Sequence, residues 1–242
     1  MKAMILAAGL GTRLRPLTEH RPKALLEIRG RTLLEITLRR LSSFGIDQVI
    51  VNVHYLGSMI IDYLQSNDNF GMRTAISREE VLLDTGGGLK QAAPFFLEGD
   101  TSEPFLLHNV DVVSTIDLRK MVEFHKQHQA LATLAVQDRT TSRPLLFDDQ
   151  LELCGRQTGA ALTTEMARPA ARTQALAFAG IHVISPRLLP MITEEGVFPI
   201  IPMYLRLAGQ GERIAAFRVD EYNWRDVGRL EDLARAEEEL RN

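Results

Sequence analysis

The sequence predicts an α/β fold: one three-layer sandwich in which a mostly parallel, mixed sheet carries helices on both faces. Three observations predict it. Strand-like and helix-like segments alternate through the first half of the chain, the order expected of linked βαβ units. The length of 242 residues suits one large α/β domain and buries a substantial core without disulfides or metal staples. Hydrophobic residues at 45% and charged residues at 24% are ordinary for a water-soluble globular chain.

Taken in order, "MKAMIL" (Met1–Leu6) reads as a short buried strand, and "TLLEITLRRLSSFG" (Thr32–Gly45) as an amphipathic helix. Thr32 with Glu35 makes a capping-box pattern, and Gly45 stands at the stop position. "QVIVNVHY" (Gln48–Tyr55) is the next strand, followed by a helix near Leu56–Gln65, the strand "MRTAISR" (Met72–Arg78) and a helix in "GGGLKQAAPFF" (Gly86–Phe96). "PFLLHNVDVV" (Pro104–Val113) reads as one buried strand with polar residues towards its end. "LRKMVEFHKQHQ" (Leu118–Gln129) is helical, with Asp111 a candidate cap for it, and "ALATLAVQ" (Ala130–Gln137) is a strand.

The second half is less regular. "LLFDDQLELCG" (Leu145–Gly155) suggests a hairpin, and residues 158–172 read as a loop without period. "ALAFAGIHVIS" (Ala175–Ser185) is a strand, "PIIPMYLRLAGQG" (Pro199–Gly211) a helix opened by proline, "RIAAFRV" (Arg213–Val219) a strand, and Leu230–Leu240 a final helix. No linker, repeat or low-complexity tract divides the chain, so residues 1–242 are expected to form one domain, with residues 144–183 a lobe over the site.

The charge balance narrows the function. Lys and Arg total 28 against 31 Asp and Glu, a formal net charge of -3. A mildly acidic chain without basic blocks is a poor general nucleic-acid binder, so phosphate affinity is expected to be local. The single cysteine, Cys154, permits no internal disulfide. The opening apolar run is too short for a signal peptide and runs straight into Arg13 and Arg15, and no apolar stretch reaches membrane-spanning length. The expected setting is the cytoplasm, without membrane or nucleic-acid partners.

The densest basic locus beside glycines is "ILAAGLGTRLRPLTEHRPK" (Ile5–Lys23). The loop after the first strand of an open α/β sheet is the usual phosphate site. Gly9 and Gly11 let the backbone turn and bring bare amides to an anion; Arg13 offers a planar fork and Lys23 a movable charge. The G-x-x-x-x-G-K-[ST] loop is absent, and Leu14 stands where a dinucleotide fingerprint needs its third glycine.

The anchors Gly9, Gly11, Thr12, Arg13, Pro16, Leu17, Thr18, Pro22 and Lys23 resemble the signature of the sugar-1-phosphate nucleotidyltransferases, whose fold is Rossmann-like and GT-A-like. The resemblance implies a nucleotide site at Ala7, Ala8, Gly9, Gly11, Thr12, Arg13 and Lys23. It implies a base-side segment in "LLDTGGGLKQA", with Thr85 and Gly86, and a ribose-side position at Asn109. It also implies metal carboxylates at Asp111, in "HNVD", and at Asp226, in "WRDVG", together holding Mg²⁺. Val110 replaces the usual glycine before Asp111, and "EMARP" replaces Glu-Lys-Pro, leaving Glu165 and Gly180 as the sugar-side candidates. The implied catalytic set is Arg13, Lys23, Asp111 and Asp226.

The implied activity transfers a nucleotidyl group from an NTP to a sugar 1-phosphate. The likeness is to short, single-domain members, including N-acetylmuramate 1-phosphate uridylyltransferases and mannose-1-phosphate guanylyltransferase-like proteins. "LLDTGGGLK" favours UTP and an amino-sugar 1-phosphate. A GTP-using mannose-1-phosphate enzyme and a weakly catalytic, sugar-nucleotide-binding regulator are the alternatives, and the expected assembly is a monomer or homodimer. His125 and His128 are expected on an exposed helix face, His54 and His108 near or beneath the cleft, and Cys154 as a buried thiol.

Overall fold

The computed structural model describes residues 1–228 and 231–233. Its strands and helices run β1 (Lys2–Leu6), β2 (Glu27–Ile28), β3 (Arg31–Thr32), α1 (Leu33–Ser43), β4 (Gln48–Val53), α2 (Gly57–Ser66), β5 (Arg73–Arg78) and α3 (Asp84–Leu97). There follow β6 (Phe105–Asn109), β7 (Val112–Ser114), α4 (Leu118–Gln127), β8 (Ala132–Gln137), β9 (Leu145–Phe147), β10 (Leu153–Thr158), β11 (Thr163–Met166) and β12 (Gln174–Ile184). The last are α5 (Ile200–Gly209), β13 (Ile214–Arg218) and β14 (Trp224–Asp226). The helix expected over Leu230–Leu240 lies, apart from residues 231–233, outside the described residues.

A ten-stranded sheet forms the middle layer. β4, β1 and β6 pair in parallel, with β5 parallel to β4. β12 is antiparallel to both β6 and β8, and β13 runs parallel to β8. Hence β1, β4, β5, β6, β8 and β13 all point one way, and their carboxyl ends share one edge. The antiparallel strands β9, β10 and β11 extend the sheet from the first half of β12.

Side chains alternate across each strand, so the sheet is buried on both faces. Ala3 and Ile5 of β1 join a core with Leu34, Leu38 and Leu41 of α1, Ile60 of α2 and Met121 of α4. Met4 points the other way, into a core with Leu89 and Phe96 of α3 and Met203, Tyr204 and Leu207 of α5. Thr32 caps α1 by accepting the Glu35 N–H at 3.0 Å, and Asp117 caps α4 by accepting from Arg119 and Lys120. The cap of α4 is therefore Asp117, which leaves Asp111 for other work. No helix of the described residues is long and apolar enough to cross a membrane.

Three local expectations are corrected. The run Pro104–Val113 is two strands, because after Asn109 the chain leaves β1 and re-pairs, as β7, with β14. The loop expected over 158–172 contains β11, whose four residues are all exposed and so carry no hydrophobic period. His125 is buried rather than exposed: it continues the Leu118–Met121 stripe of α4, and its Nδ1 lies 2.9 Å from Thr133 Oγ1.

Candidate active site

At the carboxyl edge of the sheet the chain leaves β1 as Ala7 and Ala8, both buried. The Ala7 N–H donates to Asn52 Oδ1 at 2.7 Å, and Asn52 Nδ2 donates to Glu79 Oε1 at 2.7 Å. Glu79 Oε2 accepts the Leu83 N–H at 2.9 Å, so one buried polar relay ties the ends of β1, β4 and β5 to the segment leading into α3. Gly11 then turns at φ 64, and its carbonyl accepts from Thr18 Oγ1 at 2.8 Å. A Cβ at Gly11 would stand 2.9 Å from Thr18 Cγ2, so both the turn and the packing demand glycine. Thr12–Leu14 follow as a short 3-10 turn that seats Leu14 in the core and leaves Arg13 exposed.

Opposite this loop stand the acidic groups. Lys23 opens a second 3-10 turn, Lys23–Leu25, and its ammonium donates to Asp111 Oδ2. Asp111 sits at the β6–β7 break, where the Val110 N–H donates to Leu6 O and Asp111 O accepts the Val227 N–H. Val110 is 4% exposed, lies in the core and is absent from the residues with positive φ, so valine fits where a glycine is usual. Asp226 pairs with Val112 across the β7–β14 ribbon, which brings the two carboxylates together. Burial raises the Asp226 pKa, and the charge of Asp111 raises it further, while Lys23 and Arg13 oppose the rise. A Cβ placed on Gly228 would lie 2.9 Å from Asp226 Oδ1 and 3.2 Å from Arg13 Nη2, so Arg13 and Asp226 face the same spot.

These groups bound a cleft of about 460 Å³ lined by Ala7, Ala8, Gly9, Gly11, Thr12, Arg13, Lys23, Thr85, Asn109 and Asp111, among others. The remaining expected residues take other places. Gly86 lies behind the lining: its N–H donates to Phe198 O at 3.0 Å, and a Cβ there would meet the Phe198 ring at 2.4 Å. Thr85 touches the cleft while its Oγ1 accepts the Ile200 N–H that opens α5. Gly180, at φ 75, forms an irregularity in β12 against Asn109, where a Cβ would stand 3.0 Å from Asn109 Nδ2. Glu165 is not brought to the cleft; on exposed β11 its carboxylate is taken by Arg156 Nε at 2.6 Å.

The donor set suits a hard divalent cation. Asp226 Oδ1 is buried without a hydrogen-bond partner, beside a second carboxylate at the mouth of a cleft. No cluster of three or more His, Cys, Asp or Glu ligands occurs among the described residues. Two carboxylates suffice for a magnesium ion when phosphate oxygens and waters supply most of its coordination.

A profile described as Nucleotidyl transferase matches residues 2–144. The N-acetylmuramate alpha-1-phosphate uridylyltransferase of Caulobacter vibrioides is 32% identical over 218 residues, covering 86% of this chain and 85% of that protein. The chain belongs to the nucleotidyl transferase family. Within it, this enzyme is one of the sugar-1-phosphate nucleotidyltransferases. The mannose-1-phosphate guanyltransferase of Candida albicans is 27% identical over 242 residues, and the chain spans 62% of its length. The fold matches that of HddC from Yersinia pseudotuberculosis complexed with GMP-PN, with a TM-score of 0.75, 21% identity and 99% of each chain covered.

Several residues of this transferase escaped sequence reasoning. Asn52 and Glu79 carry the relay beneath Ala7, and a polar Asn inside the apolar run "QVIVNV" was the available signal. Val197 also lines the cleft, beside Leu82 and Asp84 of the expected base-side segment. Nothing in its local pattern marks Val197, because only the fold brings residue 197 to residue 84.

Proposed function

We propose that this transferase moves a uridylyl group from UTP to N-acetylmuramate 1-phosphate or a related amino-sugar 1-phosphate, releasing pyrophosphate. The observation that carries the reading is the convergence of Arg13 and Lys23 with Asp111 and Asp226 around the Gly9–Gly11 loop. The choice of acceptor and base is supported by the Caulobacter relative, matched over 85% of its length, and by the "LLDTGGGLK" segment.

The acceptor phosphate oxygen attacks the α-phosphorus of UTP; a new P–O bond forms, and the bond to the β-phosphate's bridging oxygen breaks. The nucleophile is already anionic near neutral pH, so no general base is needed, and positioning with charge neutralisation does the work. Arg13 binds the β- and γ-phosphates and the departing pyrophosphate. Lys23 steadies the α-phosphate between the two substrates. The Gly9–Gly11 backbone approaches the triphosphate, Thr85 and Asp84 face the base, Asn109 the ribose and Gly180 the sugar. Asp111 and Asp226 are the residues that would hold Mg²⁺, which supplies Lewis-acid neutralisation of phosphate charge when bound. The extension β9–β11 with the first half of β12, within residues 144–183, serves as the sugar-side lobe, and the enzyme works in the cytoplasm.

The test is pyrophosphate release from each of the common nucleoside triphosphates against a panel of sugar 1-phosphates. The expected result is highest kcat/KM for UTP with the amino-sugar phosphate. Preference for GTP with mannose 1-phosphate would reassign the substrates. Tight sugar-nucleotide binding without turnover would make the protein a regulator instead.

A further inference from the structure

We propose that Arg139 is the acceptor-side cation of this enzyme, the residue that receives an oxyanion of the sugar 1-phosphate and so helps to set acceptor specificity. The inference rests on the transferase reading above and adds a residue to it. β8 runs in the same direction as β1 and β6, so Arg139, two residues beyond its end, emerges at the same sheet edge as the Gly9 loop. Its guanidinium lies over the Trp224 ring, 4.2 Å from the centroid, and its Nη2 donates to Phe178 O at 3.0 Å. Trp224 is itself fixed, its Nε1 donating to Ala179 O at 2.7 Å. Both anchors are carbonyls immediately before Gly180, the bend in β12 that packs on Asn109.

Trp224 and Asp226 alternate with Arg225 along β14, so they share a face, and Arg139 stands on it. Burial disfavours its cation and lowers its pKa, and the neighbouring Asp226 carboxylate opposes that shift. Among the described residues no carboxylate comes within ion-pairing distance of Arg139, in contrast to three other arginines of this half. Arg156 holds Glu165, Arg168 holds Asp148 and Glu152, and Arg218 holds Asp220. Arg168, in the segment that replaces Glu-Lys-Pro, is thus spent on its own lobe. A guanidinium has five N–H donors, and the contact to Phe178 uses one. An exposed, planar fork held flat on an aromatic ring loses little freedom on meeting an oxyanion. The oxyanion is either the 1-phosphate itself or a carboxylate on the sugar, such as the lactyl group of a muramate.

The experiment compares wild type, Arg139→Gln and Arg139→Lys by steady-state kinetics and by calorimetric titration with the sugar 1-phosphates alone. Glucose 1-phosphate, N-acetylglucosamine 1-phosphate and N-acetylmuramate 1-phosphate are the probes. The expected result for Arg139→Gln is a KM or Kd for the acceptor raised on the order of 10- to 100-fold, with KM for UTP and the melting temperature little changed and partial recovery in Arg139→Lys. A rise for every acceptor puts the 1-phosphate on Arg139; a rise confined to the muramate puts the carboxylate there. Unchanged acceptor KM and Kd, or a loss shared equally by UTP, overturns the proposal. Absence of turnover in the wild type would defeat the transferase reading, while the titrations would still test Arg139.

Discussion

The ammonium of Lys23 donates to the carboxylate of Asp111, closing the floor of the cleft between two residues 88 positions apart. Their side chains are 11% and 20% exposed, so the pair sits in a partly dried site where each charge acts strongly on phosphate. Lys23→Ala is expected to lower kcat on the order of 10²- to 10³-fold while UTP binding falls less. Single-turnover kinetics beside a nucleotide titration separate the two effects. Unimpaired turnover would remove Lys23 from the reaction.

Gly11 is required twice, by its φ of 64 and by Thr18 Cγ2 at 2.9 Å from where a Cβ would lie. Gly11→Ala should therefore cost about 1–2 kcal/mol of stability and raise KM for the nucleotide. Denaturant unfolding and initial-rate kinetics measure both, and an alanine variant with wild-type values for each would contradict this role.

Asn52 satisfies the Ala7 N–H on one side and Glu79 on the other, all inside the protein. Asn52→Ala leaves both partners unpaired, with an expected loss of about 2–4 kcal/mol. Because the relay fixes the start of the Gly9–Gly11 loop, the nucleotide KM should rise as well. A variant as stable as wild type would show that water replaces the amide.

His108, His125 and His182 are buried neutral, with pKa values lowered by desolvation to about 4, about 4 and about 3. Their unfolded counterparts titrate near the ordinary value of 6.5, so between these limits the unfolded chain binds more protons. Stability is then fully present above the unfolded pKa and is lost as pH falls towards the folded values. Each such group adds a slope of about 1.4 kcal/mol per pH unit inside its window. Thermal melts between pH 7 and pH 4 should show a steep decline, and His125→Gln should flatten it. A melting temperature independent of pH over this range would contradict the burial argument.

Much of the fold was legible because β1, α1, β4, β5, α4 and β8 each carry their own period and stop signals. Thr32 capped the helix it was expected to cap, and of the Gly9–Lys23 anchors Gly9, Gly11, Thr12, Arg13 and Lys23 line the cleft. What was hidden depends on contacts distant in the chain. β11 is exposed on every residue and carries no apolar period, so it reads as loop. Glu165 was a sensible sugar-side choice by position, yet the β10–β11 register sets it against Arg156. A Cβ on Gly86 would meet the Phe198 ring, and no local pattern announces that packing. His125 sits among polar neighbours in sequence but on the inward stripe of its helix.

In the proposed reaction Asp111 and Asp226 act as a pair opposite Arg13 and Lys23. The most direct test of that pairing is pyrophosphate release from UTP, dependent on sugar 1-phosphate, in wild type and Asp226→Asn across a Mg²⁺ titration and after chelation. Wild-type turnover is expected to need both Mg²⁺ and the acceptor. Turnover in Asp226→Asn is expected to fall at least about 100-fold at saturating Mg²⁺, with UTP still bound. Near-wild-type turnover in Asp226→Asn, or wild-type activity that survives chelation, would contradict it.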